Sequence, residues 1–360
     1  MNHNHFAVIM AGGIGSRFWP ASTSKTPKQF LDILNCGKSL IQLTYERFTD
    51  ICPVENIYVV TNESYGSLVA EHLPEIPEEN ILKEPVGKNT APCVAFAANI
   101  IYAKNKQAVM TIASADHSIG DKEAFQKAVV EAMNEGSNND WLICLAIEPT
   151  RPDTGYGYIQ FDDSQHAENI FKVKTFTEKP SAEIAQQFLD SGEFLWNSGI
   201  FIWSAKTILN AFDEYLEEVG NLFAPLKTQN AEKRVITIQR AYDHCPNISI
   251  DYGILEKATN VYVKPASFNW SDVGTWNALY DISEKTEGNN VSNKKAVFFK
   301  NSGGNIVNST SDKLVVLNDV NDLIVVESHE VILVASRNTE QNIKQLVTEL
   351  KVQKDYKKHM

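Results

Sequence analysis

The apolar residues change rhythm along this chain. From residue 6 to residue 147, short apolar runs alternate with segments whose apolar positions recur at helical spacing. Residues 6–10, 57–60, 109–112 and 141–147 predict buried strands, and 40–48, 65–72, 91–102 and 125–133 predict the helices between them. Such alternation predicts an α/β fold, a Rossmann-like, mainly parallel sheet with helices on both faces. From residue 151 the rhythm loosens. A short strand is expected over 158–161, a helix over 181–189, a polar turn running into a strand over 196–203, and helices over 205–220 and 229–244. Residues 284–290 are polar and contain glycine, which reads as a linker. Beyond it, apolar runs at 296–299, 305–307, 314–317, 323–326 and 331–334 predict a small all-β module, a few turns of a β-helix. A terminal helix over 341–351 and a frayed basic tail follow. Two domains are therefore expected, 1–285 and 286–360. The exposed strand edges of the second need burial on the first or on another subunit, so a homodimer is one expectation.

Composition narrows the classes. The 360 residues are 43% hydrophobic and 22% charged, ordinary for a globular protein, and the net charge is −12. A general attraction to nucleic acid or anionic membrane is not expected, and any phosphate binding must come from a local basic pocket. Cys36, Cys52, Cys93, Cys144 and Cys245 include no C-x-x-C pair, and several sit in apolar runs. Buried free thiols in a reducing compartment explain them better than disulfides or zinc. No basic n-region precedes the short N-terminal apolar run, and no stretch approaches a membrane span, so a cytoplasmic location is expected.

The first predicted strand runs into Ala11-Gly12-Gly13-Ile14-Gly15-Ser16-Arg17-Phe18-Trp19-Pro20. Glycines let the backbone turn sharply and bring successive N–H groups onto phosphate oxygens. Two known glycine motifs fail here. The third glycine of a dinucleotide fingerprint falls on Phe18, and no Lys-Ser or Lys-Thr completes a P-loop. A plain glycine turn stays open. Arg17, a fork of donors suited to phosphate, and the downstream Lys25-Thr26-Pro27-Lys28-Gln29-Phe30 favour a clamp on a polyphosphate.

Ala11 to Arg17, Phe18-Trp19-Pro20 and Pro27-Lys28-Gln29-Phe30 together resemble the signature of the sugar-phosphate nucleotidyltransferases, and the Phe-Trp-Pro variant is most similar to their mannose-1-phosphate guanylyltransferase branch. The resemblance implies that Ala11, Gly12, Gly13, Gly15 and Ser16 bind the nucleoside triphosphate, with Arg17 and Lys28 on its phosphates. It further implies transfer of GMP from GTP to mannose 1-phosphate by in-line attack at the α-phosphorus, giving GDP-mannose and pyrophosphate. Two other readings stay open: another hexose 1-phosphate or base, such as glucose 1-phosphate with dTTP, or a regulator that binds nucleotide sugar without turnover. Some bacterial relatives carry a fused phosphomannose isomerase domain, which this sequence is expected to lack.

Further blocks follow in order. In Glu84-Pro85-Val86-Gly87-Lys88-Asn89-Thr90, a carboxylate can accept the paired N–H donors of guanine. Glu84 is the candidate, with Asn89 and Thr90 near the ribose; helix capping by Asn89 or Thr90 is the alternative. Asp116 ends a predicted strand at the ligand edge of the sheet, placed either to hold a divalent cation such as Mg²⁺ or to cap a helix. The matching aspartate of the family is a metal ligand, whereas His117 reads as structural. Arg151 to Ile159 carries Gly155 and Gly157, for close backbone approach to a ligand or a simple tight turn; the matching segment of the family packs on the hexose. Glu178 is suited to sugar hydroxyls and Lys179 to the sugar phosphate, although a solvated Glu-Lys turn is the ordinary alternative. The resemblance places Asn197 and Asp251 at the sugar, Asp251 with capping as an alternative. It also brings Asp272, distant in sequence, to the same metal ion as Asp116, although an Asp in a Trp-rich turn is ordinarily a capping residue.

Overall fold

The computed structural model of the protein describes residues 2–293, 296–328, 330–356 and 359; Lys357, Lys358 and Met360 of the expected basic tail lie outside the described residues. The chain forms two compact units. One comprises Met1–Gly12, Thr44–Ala115 and Ile119–Trp270, and the other Gly13–Leu43, Asp116–Ser118 and Ser271–Met360.

The larger unit is built on nine strands: β1 (His5–Ala11), β2 (Ile57–Asn62), β3 (Ile81–Glu84), β4 (Val109–Ser114), β5 (Leu142–Ile147), β6 (Gly157–Ala167), β7 (Ile170–Glu178), β8 (Phe194–Ser204) and β9 (Val261–Pro265). They are ordered β3-β2-β1-β4-β8-β5-β9-β7-β6, and β6 also pairs with β8. Strands β3, β2, β1 and β4 are parallel, as are β5 and β9. The sheet is nonetheless mixed, because β8 enters antiparallel between β4 and β5, and β6 and β7 form an antiparallel pair. Alternate residues of a strand face opposite sides. Phe6 and Val8 of β1 are as buried as Ala7 and Ile9, so the sheet is covered on both faces. Phe6 and Val8 share a core with helix α1 (Thr90–Lys104), whose Ala91 to Ala98 are buried without a break. A helix apolar all round belongs in an interior. The single helix expected over 205–220 is two, Ala205–Tyr215 and Glu217–Phe223, with the break at Leu216.

The smaller unit holds the glycine loop from Gly13 onward and the C-terminal strands β10 (Val291–Ser292), β11 (Val297–Lys300), β12 (Ile306–Ser309), β13 (Val315–Asn318), β14 (Leu323–Glu327) and β15 (Ile332–Ser336). Strands β10, β12 and β14 stack in parallel, β11 pairs in parallel with β13, and β15 closes the stack antiparallel to β14. The repeat is 18 residues, the separation between Asn305 and Leu323 and between Gly303 and Asn321, whose hydrogen bonds tie successive coils. This is a short β-helix with an asparagine ladder inside. The backbone N–H and side-chain amide of Asn305 both donate to Asn290 Oδ1, and both asparagines are fully buried. The segment 284–290 is thus more than a linker, since Asn290 begins that ladder. The helix Asn342–Val352 contributes Ile343 and Val347 to a core that also contains Phe18, Trp19, Trp276, Ile306 and Ile324.

Candidate active site

The glycine loop starts where β1 ends at Ala11. Gly15 has φ +75°, and a side chain there would collide with the Lys28 stem, so the loop needs glycine for conformation and for space. The Lys28 N–H donates to Ile14 O at 3.1 Å, holding the two segments together. Lys28 is only 2% exposed. Its ammonium donates to Asp116 Oδ2 at 2.9 Å and to the main-chain oxygen of Asp272 at 2.9 Å, and lies 5.6 Å from the centre of the Phe18 ring. One buried point charge therefore joins two segments 156 residues apart. Burial raises the pKa of Asp116, but the Lys28 charge and hydrogen bond outweigh it and hold the carboxyl below its ordinary value. Asp272 turns its Oδ1 to the Gly274 N–H at 2.9 Å. Arg17 is exposed and donates from Nε to Gln341 Oε1 at 3.2 Å. Ser16 opens the short 3₁₀ turn that carries Arg17.

Hard oxygen donors suit magnesium. Asp116 through a carboxylate oxygen and Asp272 through its main-chain oxygen meet at one cationic group, and hard oxygen donors of this kind fit a divalent ion. Among the described residues no cluster of three or more His, Cys, Asp or Glu could hold a metal by itself. Substrate oxygens would have to complete the shell.

In the larger unit, Glu84 ends β3 and is 5% exposed. Its Oε1 accepts from the buried Tyr242 hydroxyl at 2.7 Å, and its Oε2 lies 3.5 Å from where a Cβ on Gly12 would sit. Burial pushes its pKa up to about 7, against the Tyr242 hydrogen bond. Asn89, with φ +72°, caps α1 by accepting from the Thr90 N–H, as the capping alternative expects. The Thr90 hydroxyl accepts from the Ile250 N–H at 2.8 Å. It ties the 248–251 segment to α1.

Four separate segments of the larger unit converge on a second cluster. Gly157 begins β6, and a side chain on it would overlap the Glu178 carboxylate. Glu178 Oε1 contacts Lys179 Nζ, while Glu178 Oε2 is buried and has no hydrogen-bond partner among the described residues. A buried acceptor left unpaired is costly. Asn197 donates from Nδ2 to Asp251 Oδ1 at 3.0 Å. Asp251 opens a π-helical turn, Asp251–Leu255. Burial first, then the neighbouring Glu178 charge, raises its pKa to about 6. Lys179 has φ +50°, and its side chain is 59% exposed. Burial opposes its charge, but the Glu178 carboxylate prevails and its pKa is raised.

A sequence profile of nucleotidyl transferases matches residues 6–289. The chain belongs to the nucleotidyl transferase family. Among its relatives, a mannose-1-phosphate guanylyltransferase of Salmonella montevideo is 37% identical over 96% of this chain and 74% of its own length. One from Escherichia coli K12 is 35% identical over 96% of this chain and 73% of its own. A crystal structure from Thermus thermophilus, described as mannose-1-phosphate geranyltransferase, superposes with TM-score 0.87 at 28% identity, covering 97% of this chain and all of that one. No helix among the described residues is long and apolar enough to cross a membrane.

For a nucleotidyl transferase, three contributors escaped sequence reading. Tyr242, Cys144 and Gln341 each contact a candidate residue. Tyr242 lies on the apolar stripe of its helix with Ile238, Ala241 and Cys245, so it reads as core. Only the need of a buried phenol for a partner hints at more.

Proposed function

We propose that this protein transfers GMP from GTP to mannose 1-phosphate, giving GDP-mannose and pyrophosphate. An oxygen of the sugar phosphate attacks the α-phosphorus, and the bond from that phosphorus to the bridging oxygen of the β-phosphate breaks. The nucleophile is already an anion, so no serine or cysteine is needed. Catalysis consists of alignment and of neutralising charge as it accumulates on the phosphates. Lys28 and Arg17 steady the departing pyrophosphate, and Lys179 the attacking phosphate. A divalent ion such as Mg²⁺, held by Asp116 and Asp272, would neutralise charge on the reacting phosphates. Glu84 accepts from the guanine edge, with Asn89 and Thr90 toward the ribose and the loop Ala11 to Ser16 along the triphosphate. Glu178, Asn197 and Asp251 take the hexose hydroxyls, with Gly157 leaving room. In this reading residues 1–285 carry the chemistry and residues 286–360 form an accessory β-module.

The observation that carries the reading is the buried Glu178 Oε2, which has no hydrogen-bond partner among the described residues, beside Asn197 and Asp251. Hydroxyl protons of a sugar supply what that oxygen lacks. The likeness to mannose-1-phosphate guanylyltransferases over 96% of this chain supports the choice of sugar and base. Pyrophosphate release across four nucleoside triphosphates and several hexose 1-phosphates, with and without magnesium, tests it. GTP with mannose 1-phosphate is expected to lead. Release with dTTP and glucose 1-phosphate alone would reassign the substrates, and binding without release under every condition would remove the catalytic reading.

A further inference from the structure

Strand β8 carries an irregularity beside the second cluster. Pairing with β5 runs Leu145 with Ile200, then jumps to Ala146 with Asn197, so Ser198 and Gly199 bulge out of register. Bulges re-aim side chains. Gly199 has φ +68°, and the Ser198 hydroxyl bridges the bulge by donating to Leu145 O at 2.6 Å. This geometry turns the Asn197 amide back onto β5, where Cys144 is fully buried. The Cys144 Sγ lies 3.1 Å from Asn197 Oδ1 and 3.3 Å from Leu145 O.

A thiol has one proton and two candidate acceptors here. Leu145 O already accepts the short Ser198 hydrogen bond, whereas donation to Asn197 Oδ1 removes a lone-pair contact at the closer distance. Asn197 Oδ1 also accepts from the Gly199 N–H at 2.9 Å. Two donors converge on that atom, so it must be the oxygen, and the NH₂ group must face Asp251. One amide hydrogen goes to Asp251 Oδ1, leaving the second for a ligand. Burial, and then the charges of Asp251 and Glu178, push the Cys144 thiol well above its ordinary value, so the proton needed for donation stays on sulfur.

We infer that Cys144 is a positioning residue for the sugar phosphate: its thiol locks the Asn197 amide so that Asn197 can act toward the sugar only as a donor. The inference rests on the proposed sugar-binding role of Asn197 and deepens it. The direction of the network follows. The sugar oxygen beside Asn197 accepts, and the hydroxyl proton on that oxygen is free for a carboxylate, with Glu178 Oε2 lacking a donor.

The test compares C144V, which keeps similar volume but has no donor, with C144S, which restores one; C144A stands in if C144V does not fold. KM for mannose 1-phosphate, KM for GTP and Tm are read for each variant, with N197A alongside. The expected result for C144V is a rise of roughly threefold to tenfold in KM for mannose 1-phosphate, the effect of about one net hydrogen bond. KM for GTP and Tm stay near wild type, and C144S recovers most of the loss. An unchanged KM for mannose 1-phosphate in C144V, C144S as impaired as C144V, or both KM values and Tm shifting together would overturn the positioning role. N197A separates the two levels. If it leaves KM for mannose 1-phosphate unchanged, the sugar-site reading itself fails; if it raises that KM and C144V does not, only the role of Cys144 fails.

Discussion

The cluster around Lys28 and the cluster around Glu178 are built from similar residue types and are in opposite electrostatic conditions. In the first, a buried ammonium sits between a carboxylate and a carbonyl, and the Asp116 carboxyl is held below its ordinary value. In the second, two carboxylates share a buried space with one half-exposed ammonium, and Asp251 is pushed up to about 6. In the first the cation is shared between two oxygens. In the second, Glu178 Oε2 has no hydrogen-bond partner among the described residues. Under the proposed function, the phosphates compete for Lys28 with Asp116, and the sugar brings hydroxyl protons to the second cluster. Burial pushes both aspartates up, and they end shifted in opposite directions because one faces an ammonium and the other a second carboxylate.

Lys28 gives the sharpest way to break this contrast. K28M is expected to lower the rate of pyrophosphate release about a hundredfold, as loss of one preorganised charge-stabilising donor does elsewhere. A variant within twofold of wild type would show the first cluster to be structural only. Next in size, E178Q replaces the unpaired acceptor with an amide, and KM for mannose 1-phosphate should rise about tenfold, the cost of losing a charged hydrogen bond. Unchanged saturation curves would mean the second cluster is not donor-hungry.

The pH dependence is smaller and has a defined sign. Glu84, at about 7, and Asp251, at about 6, lie above their ordinary values of 4.5 and 3.8. The folded state therefore holds these protons more tightly than the unfolded one. From this pair, ligand-free stability should rise as pH falls from 7 toward 4.5. E84Q should flatten that slope in Tm measured against pH. KM for mannose 1-phosphate should rise over the same range as Asp251 loses its charge below about 6. The smallest effect is expected in the β-helix, at Glu327, which accepts from Ser309, Ser311 and Lys313. These three hydrogen bonds lower its pKa to about 2. Its contribution is present above 4.5 and is lost as pH falls through about 2. E327Q should reduce Tm slightly at neutral pH, and the difference from wild type should shrink on acidification.

Much of the scaffold could be read from one chain. The continuous apolar runs located β1, β2, β4 and β5, and the helical spacing located helices between them, to within a few residues, because those strands are buried on both faces and the helices pack on them. The five C-terminal apolar runs are strands at nearly the expected positions. The antiparallel insertion of β8 between β4 and β5 was not legible, since strand direction depends on connections and not on local pattern. Nor was the asparagine ladder. Asn290 and Asn305 look like loop residues until successive coils stack one above the other.

The candidate chemistry divides in the same way. Sequence alone determined the residue types and their order: a glycine loop after the first strand, an arginine and a lysine behind it, and acids at the ends of strands. These are local requirements of backbone conformation and charge, written within a few positions of one another. Which acid meets which base was decided by the tertiary structure. Lys28 joins Asp116 to Asp272, Tyr242 holds Glu84 across 158 residues, and Cys144 orients Asn197 across 53. Such pairings arise where a sheet and a bulge bring distant side chains into low dielectric, and there a hydrogen bond or a missing one shifts a pKa in ways no linear spacing encodes.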